Sequence, residues 1–343
     1  MASVLRRSMV TSSTTKPRVL ITGALGQLGS TLGRLLRQRY GSDNVVSADV
    51  RVPPAEIAAQ GPFVYVDVLN YDQLAKVVVE NRINWVVHFS ALLSAVGEKN
   101  PKLALDVNIT GFQNVMDLAS KHKLTVFCPS TIGAFGPTTP RVNTPDITIM
   151  RPTTIYGITK VHAELLGEWY HRNHGVDFRS LRYPGIISAE TPPGGGTTDY
   201  AVDIFHHALK TGSYTSFLGP NTRLPMMYIP DCLEGTIQFL ETPREHLKMC
   251  TYNMSGIDFT PTELADSIRK FIPNLVKKTS PPPPLLHNSV ILTTRTHTES
   301  RLQARLSPGH RRLVAAVARR LARAQGLGLV AQVLDRRHEQ GHD

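Results

Sequence analysis

Only three cysteines occur in the 343 residues: Cys128, Cys232 and Cys250. None stands in a C-x-x-C pair and no histidines gather around them. Neither a metal site nor a disulfide framework is therefore expected, and a reducing compartment suits the free thiols. No run of about 18 apolar residues is present, so no membrane-spanning helix is expected. Acidic residues are missing from the start of the chain, where Asp43 is the first. The opening MASVLRRSMVTSSTTKPR is basic and rich in Ser and Thr. Residues 1–16 fit a mitochondrial transit peptide, which implies the matrix; a disordered start, with a cytoplasmic protein, is the alternative.

The net charge of +11 invites a nucleic-acid reading. Its distribution argues against one. From Leu275 on, 12 basic residues face 4 acidic ones, so +8 lies in the tail and the preceding 274 residues carry only +3. No nucleic-acid or membrane partner is expected for that body. The hydrophobic fraction of 41% allows a sizeable core.

Short apolar runs alternate with helical spacings. Strands are expected at Arg18–Thr22, Asn44–Asp49, Phe63–Val66, Trp85–Phe89, Thr125–Cys128 and Asp177–Tyr183. Helices are expected over Leu28–Tyr40, Tyr71–Glu80 and Leu103–His122, and after Pro152. This alternation predicts an α/β fold, a Rossmann-type doubly wound parallel sheet with a smaller C-terminal substrate lobe. The expected divisions are 17–183 for dinucleotide binding, 184–274 for the lobe with interleaved segments, and 275–343 for a basic tail, disordered or partly helical. The glycine-rich PPGGGTT (Pro192–Thr198) reads as a loop, and SPPPP (Ser280–Pro284) as a boundary.

Between the first strand and first helix lies TGALGQLG, Thr22–Gly29, with Gly23, Gly26 and Gly29 three apart. Such a turn admits a pyrophosphate to free amides at a helix N-terminus. Gln27 and Leu28 belong to it. Asp49 ends the second strand, where a carboxylate accepts ribose hydroxyls and repels a 2′-phosphate, favouring NAD over NADP. Val50 and Arg51 adjoin it, and the arginine weakens that preference. Asp67 with Val68 could meet the adenine; a helix-capping role for Asp67 fits equally well.

In RPTTIYGITK, Tyr156 and Lys160 stand four apart and share a helical face. A cation beside a phenol stabilises the phenolate, which can then take a proton from an alcohol. Upstream, PSTIGAFG (Pro129–Gly136) places hydroxyls at the end of the fifth strand.

With TGALGQLG, Asp49, Asp67-Val68, these hydroxyls, Tyr156, Lys160 and RYPGI (Arg182–Ile186), the chain resembles the extended short-chain dehydrogenase/reductase family. The resemblance implies a Thr131–Tyr156–Lys160 triad, with Ser130 as the neighbouring hydroxyl, and NAD as cofactor. HFSALLSAVGE, PSTIGAFGPTTPRVNTPD, RYPGIISAETPPGGGTTDYAVDIF and MMYIPDC are similar to the threonine-oxidising branch of that family. The branch implies L-threonine as substrate, 2-amino-3-oxobutyrate as product, a CoA ligase as partner, and a homodimer formed through the Tyr156 helix and the helix before strand five. Leu92 and Ile186 would wall the cofactor; Ser94, Thr198 and Asp199 are candidates for the substrate's ammonium and carboxylate. An NDP-sugar epimerase or dehydratase is the alternative within the family, and an impaired NAD-binding protein the alternative outside catalysis. A zinc-dependent alcohol dehydrogenase lacks its ligand pattern here.

The resemblance runs from about residue 17 to Asn274. Beyond it RRLVAAVARRLAR, Arg311–Arg323, has helical propensity and a basic face. A membrane-surface or RNA-binding helix fits that pattern; so does a segment foreign to the family, from an alternative exon or a shifted frame, which would leave the lobe without its final support.

Overall fold

The computed structural model describes residues 16–188, 197–254, 256–279 and 312–317. The readings of residues 1–15, of Pro192–Gly196 and of Ser280–Pro284 fall outside these. Strands β1 (Val19–Thr22), β2 (Val45–Asp49), β3 (Phe63–Tyr65) and β4 (Trp85–His88) alternate with α1 (Gln27–Tyr40), the single turn α2 (Ala55–Ala58) and α3 (Tyr71–Glu80). Then come α4 (Ser94–Lys99), α5 (Pro101–Leu105), a π-helical turn at Asp106–Gly111 and α6 (Phe112–His122). Next are β5 (Thr125–Phe127), β6 (Ser130–Thr131), α7 (Ile155–His174), β7 (Asp177–Tyr183) and β8 (Gly185–Ile187). The remainder comprises α8 (Tyr200–Lys210), β9 (Ser213–Ser216), β10 (Leu224–Tyr228), α9 (Ile229–Glu241), β11 (Thr251–Asn253), β12 (Ile257–Phe259), α10 (Pro261–Arg269) and β13 (Val276–Thr279).

The main sheet runs β11–β7–β5–β4–β1–β2–β3, with β6 also on β7, and its pairings are parallel. It is a Rossmann-type sheet whose order reverses between β1 and β4, the crevice where such sheets take ligands. All four residues of β1 are buried, as expected of a strand covered on both faces. One face packs Leu74, Val78, Phe112, Met116 and Tyr170 from α3, α6 and α7. The other packs Leu32 and Leu36 of α1 with Leu233, Ile237 and Leu240 of α9. No helix among the described residues is long and apolar enough to cross a membrane.

One expected element is corrected. The helix read over Leu103–His122 is present and starts at Pro101, but its middle, Asp106–Gly111, is a π-helical turn and not α-helix. Asn100 caps α5 by accepting the Leu103 N–H, and the path then widens into the π turn before α6. The wider turn carries Asn108, whose side chain is claimed by another segment, as described below; π turns gather at such places. The short helix α4 was read as loop.

The second lobe holds a three-stranded sheet, β12–β10–β8, and a parallel pair, β13–β9. Its core includes Tyr200, Phe205, Phe259, Leu264, Ile268 and Leu275. Strand β13 therefore carries the lobe past Asn274, where the resemblance ends. A helical stretch at 312–317 joins the same core through Leu313, Val314 and Val317, which are 8%, 0% and 1% exposed. These positions share one helical face, and Arg312 is exposed. Over these residues the apolar side of the helix read above as membrane-surface or RNA-binding is buried inside the protein.

Val314→Ala should destabilise the protein by about 2 kcal/mol, from two lost buried methyls and an imperfectly closed cavity. Urea denaturation checks this; an unchanged midpoint would mean that the 312–317 packing does not hold the lobe.

Candidate active site

The site is assembled from strand ends along the carboxyl edge of the main sheet. At the end of β1, Gly23 has φ +66° and lies so close to the Phe89–Ser90 backbone that a Cβ would meet it at 2.7 Å. No side chain can stand there. The turn then opens α1 at Gly26, whose capping position supplies no side-chain partner to the first helical amides, those of Gln27, Leu28 and Gly29. Those amides are available to an anion. This bare, glycine-lined helix start fits a dinucleotide's pyrophosphate. Across from it, Asp49 accepts the Leu25 N–H at 3.0 Å and the Arg51 N–H and Nε at 3.1 Å. Burial alone would raise the Asp49 carboxyl, but the hydrogen bonds from Arg51 and Leu25 outweigh it and hold the group below its usual range. Val50 beside it is half exposed.

Asp67 accepts the Leu69 N–H at 3.0 Å through Oδ1 and so closes its own turn. The Val68 side chain is buried against Gly111, and its carbonyl accepts from Asn114. Only backbone groups of Val68 remain for a nucleotide.

Thr131 ends β6, and its Oγ1 accepts the Gly133 N–H at 3.1 Å. A Cβ added at Gly133 would lie 3.5 Å from Thr131 Oγ1 and 3.7 Å from Tyr156 Cδ1. The strand-end hydroxyl and the phenol ring thus flank one glycine. Tyr156 sits in the first turn of α7, which Thr154 caps by accepting the Gly157 N–H and which Glu98 of α4 supports by accepting the Ile155 N–H at 2.7 Å. Lys160 is buried, donates from Nζ to the Pro129 carbonyl at 2.8 Å and lies over the Tyr156 ring, 5.7 Å from its centroid.

Under Lys160 is a small cavity lined by His88, Ser90, Asn108, Cys128 and Thr159. Asn108 grips Leu92 by both backbone groups, accepting its N–H at 2.8 Å and donating to its carbonyl at 3.0 Å, and also donates to Thr159 Oγ1 at 3.1 Å. The Leu92 segment is thereby tied to α7. Ser94 opens α4, which packs on α7. Ile186 lies in β8. Thr198 packs over neighbouring Gly185, whose Cβ would meet it at 2.6 Å, and Asp199 begins α8.

Thr131, Tyr156, Lys160 and Leu92 are therefore joined through named contacts, and Thr198 is joined to the β8 segment that holds Ile186. Asp67 and Val68 follow β3, and Val68 meets the π turn at Gly111. Asn108, Glu98 and His88 were not read from the sequence. The irregular helix that aims Asn108 has no sequence signal. His88 at a strand end has one, but it is indistinguishable from a core histidine.

The chain belongs to the NAD dependent epimerase/dehydratase family, whose model matches residues 19–255. It is an NAD-using, Rossmann-type member. "L-threonine 3-dehydrogenase, mitochondrial" of Bos taurus is 59% identical over 264 residues, which are 77% of this chain and 71% of that protein. A crystal structure of L-threonine dehydrogenase from Phytophthora infestans matches with a TM-score of 0.74 at 52% identity, covering 77% of this chain and 85% of that one. L-threonine dehydrogenase from Clostridium difficile matches at 0.75 and 37% identity, covering 87% and 86%.

Two outcomes follow from the geometry. Asp49→Ala should lower the ratio of NAD to NADP affinity by about tenfold, as the repulsion of a 2′-phosphate is removed; titration calorimetry with both cofactors checks it. His88 is buried, and desolvation, then the charge of Lys160, lower it to about 3. The fold thus favours neutral imidazole, while the unfolded chain binds a proton below about 6.5. Stability conferred by this preference is full above that pH and is lost as pH falls from there toward about 3. Urea midpoints measured across this window should fall less steeply in His88→Gln than in the wild type.

Proposed function

We propose that this chain oxidises the side-chain alcohol of L-threonine to 2-amino-3-oxobutyrate with NAD. The observation that carries the reading is the meeting of Thr131 and Tyr156 around Gly133, with Lys160 over the phenol ring. Thr131 holds the reacting oxygen by a hydrogen bond. The Tyr156 phenolate takes the hydroxyl proton, and the Lys160 ammonium favours that phenolate. NAD supplies the hydride acceptor when bound, held by the Gly23–Leu28 turn, Asp49, Leu92, Lys160 and Ile186. Ser94, Thr198 and Asp199 orient the substrate's ammonium and carboxylate. The similarity to proteins named as threonine dehydrogenases supports this substrate over a nucleotide sugar.

The product is a β-keto acid that loses carbon dioxide readily, so a CoA ligase that consumes it is the expected partner. A homodimer through α7 is supported by the exposed apolar residues Ile158, Leu165 and Trp169 on one side of that helix and Leu103 on the adjoining α5. The mitochondrial names of related proteins and the basic start support a place in the matrix.

Purified full-length protein with NAD and L-threonine should form NADH, while UDP-glucose should not serve. Tyr156→Phe should lower the rate by at least about 100-fold and leave NAD affinity within about twofold. Full activity in that variant would remove Tyr156 from its role; no activity in the wild type with NAD bound would remove threonine oxidation.

A further inference from the structure

Next to the site lies a buried ion pair that the reading above does not use. Glu164 and Arg182 are 2% and 4% exposed. Arg182 grips the carboxylate with two prongs, Nε to Oε1 at 2.9 Å and Nη2 to Oε2 at 2.6 Å. The Ser130 hydroxyl also donates to Oε1. The third arm of the guanidinium donates to the Asp146 carbonyl at 2.6 Å and to Asn253 Oδ1 at 3.1 Å, and the guanidinium carbon lies 5.6 Å from the centre of the Phe135 ring. Arg182 is therefore fixed from the β11 edge as well as from α7.

Glu164 follows Lys160 by four residues on α7, so their side chains leave the same face of the helix. Without Arg182 the buried carboxylate would keep only the Ser130 hydroxyl and be left an uncompensated charge, and Lys160 is the cation one turn away on the same face of α7. In the structure Lys160 is not paired with Glu164: its ammonium is on the Pro129 carbonyl and over the Tyr156 ring. We propose that Arg182 is a positioning residue of the reaction, which holds the Glu164 carboxylate away from Lys160 and so keeps the ammonium free for Tyr156 and the cofactor. A guanidinium suits this task because its fork occupies both carboxylate oxygens at once. The inference rests on the Tyr156–Lys160 reading of the site.

The other titratable groups around this pair are few. His88 of β4 and Cys128 after β5 face Lys160; burial keeps both neutral, lowering the imidazole and raising the thiol. Glu98 of α4 accepts the Ile155 N–H at the head of α7, and Asp146, whose carbonyl meets Arg182, accepts the Asn253 N–H with its carboxylate. Lys102 on α5 and Asp106 in the π turn belong to segments packed on α7 but are not buried.

A double-substitution cycle tests the idea, with the acid limb of the pH–rate profile and the crystal structure as readouts. In Arg182→Met the lone carboxylate should draw Lys160 Nζ from Pro129 to Glu164. The acid limb should then move to higher pH by about one unit, and kcat at neutral pH should fall about tenfold, with NAD affinity nearly unchanged. Adding Glu164→Gln removes the competitor, and should return both the limb and most of kcat. Glu164→Gln alone leaves an unbalanced cation, so its limb should move the opposite way, to lower pH. A merely structural pair would give equal losses in all three variants without opposite shifts, and that result overturns the proposal. So does a crystal structure of Arg182→Met with Lys160 still on Pro129. Should Arg182→Met not fold, Glu164→Gln decides by its limb alone, and an unmoved limb overturns the proposal. A wild type inactive on threonine counts against the function proposed above, while the position of Lys160 in the Arg182→Met crystal still judges this inference.

Discussion

The seat of α7 on the sheet is the constraint on which the rest of the site depends. Two glycines ten residues apart make that seat. A Cβ at Gly157 would lie 2.3 Å from the Gly133 carbonyl, and one at Gly167 would lie 2.2 Å from the Phe178 ring. The helix can approach that closely only because both positions are bare. Tyr156 precedes the first contact and Lys160 follows it, so their heights above the sheet edge are set by backbone packing and not by side-chain choice. Thr154, Glu98 and Asn108 then fix the helix start and the segment beside it. Polar groups at this edge are mostly engaged with each other, which leaves little freedom for the reacting groups to wander.

Polar chemistry is graded along α7. Its first turn is partly open and carries the phenol. One turn on, Lys160 is buried and held by a carbonyl. A further turn on, Glu164 is sealed within an ion pair. Charge is admitted to the interior only where a rigid partner meets it, as expected when desolvation must be offset. Asp49 shows the same rule at the other side of the crevice, where Arg51 and the Leu25 amide take its oxygens.

Much of this was legible in the sequence, and the parts that were not have physical reasons. Strands buried on both faces are largely apolar runs, so β1, β2, β4 and β5 stood out within a residue or two. The glycine turn and the Tyr156–Lys160 spacing were legible because each needs particular residue types at fixed offsets. The π turn at Asp106–Gly111 was not, since such a turn uses ordinary residues and goes with what Asn108 reaches for. Glu164 was not read from the sequence: its partner Arg182 comes from a strand, and a pairing between distant elements is not written locally. The tail was misleading for a different reason. Its composition is basic, while the residues that pack, Leu313, Val314 and Val317, are few and carry the weight of burial.

That packing has a consequence for the order in which the molecule can be made. Chains acquire structure from the N-terminus as they are synthesised. The main sheet needs nothing beyond β11, so the crevice for the dinucleotide can close while the tail is still unmade. The second lobe cannot be finished then, because its interior takes in β13 and the stretch at 312–317. Until those residues emerge, the core that they share with Tyr200, Phe205 and Ile268 is incomplete. The nascent protein thus passes through a stage with a formed cofactor half and an unfinished second core, and unfinished apolar cores are where nascent chains are prone to aggregate.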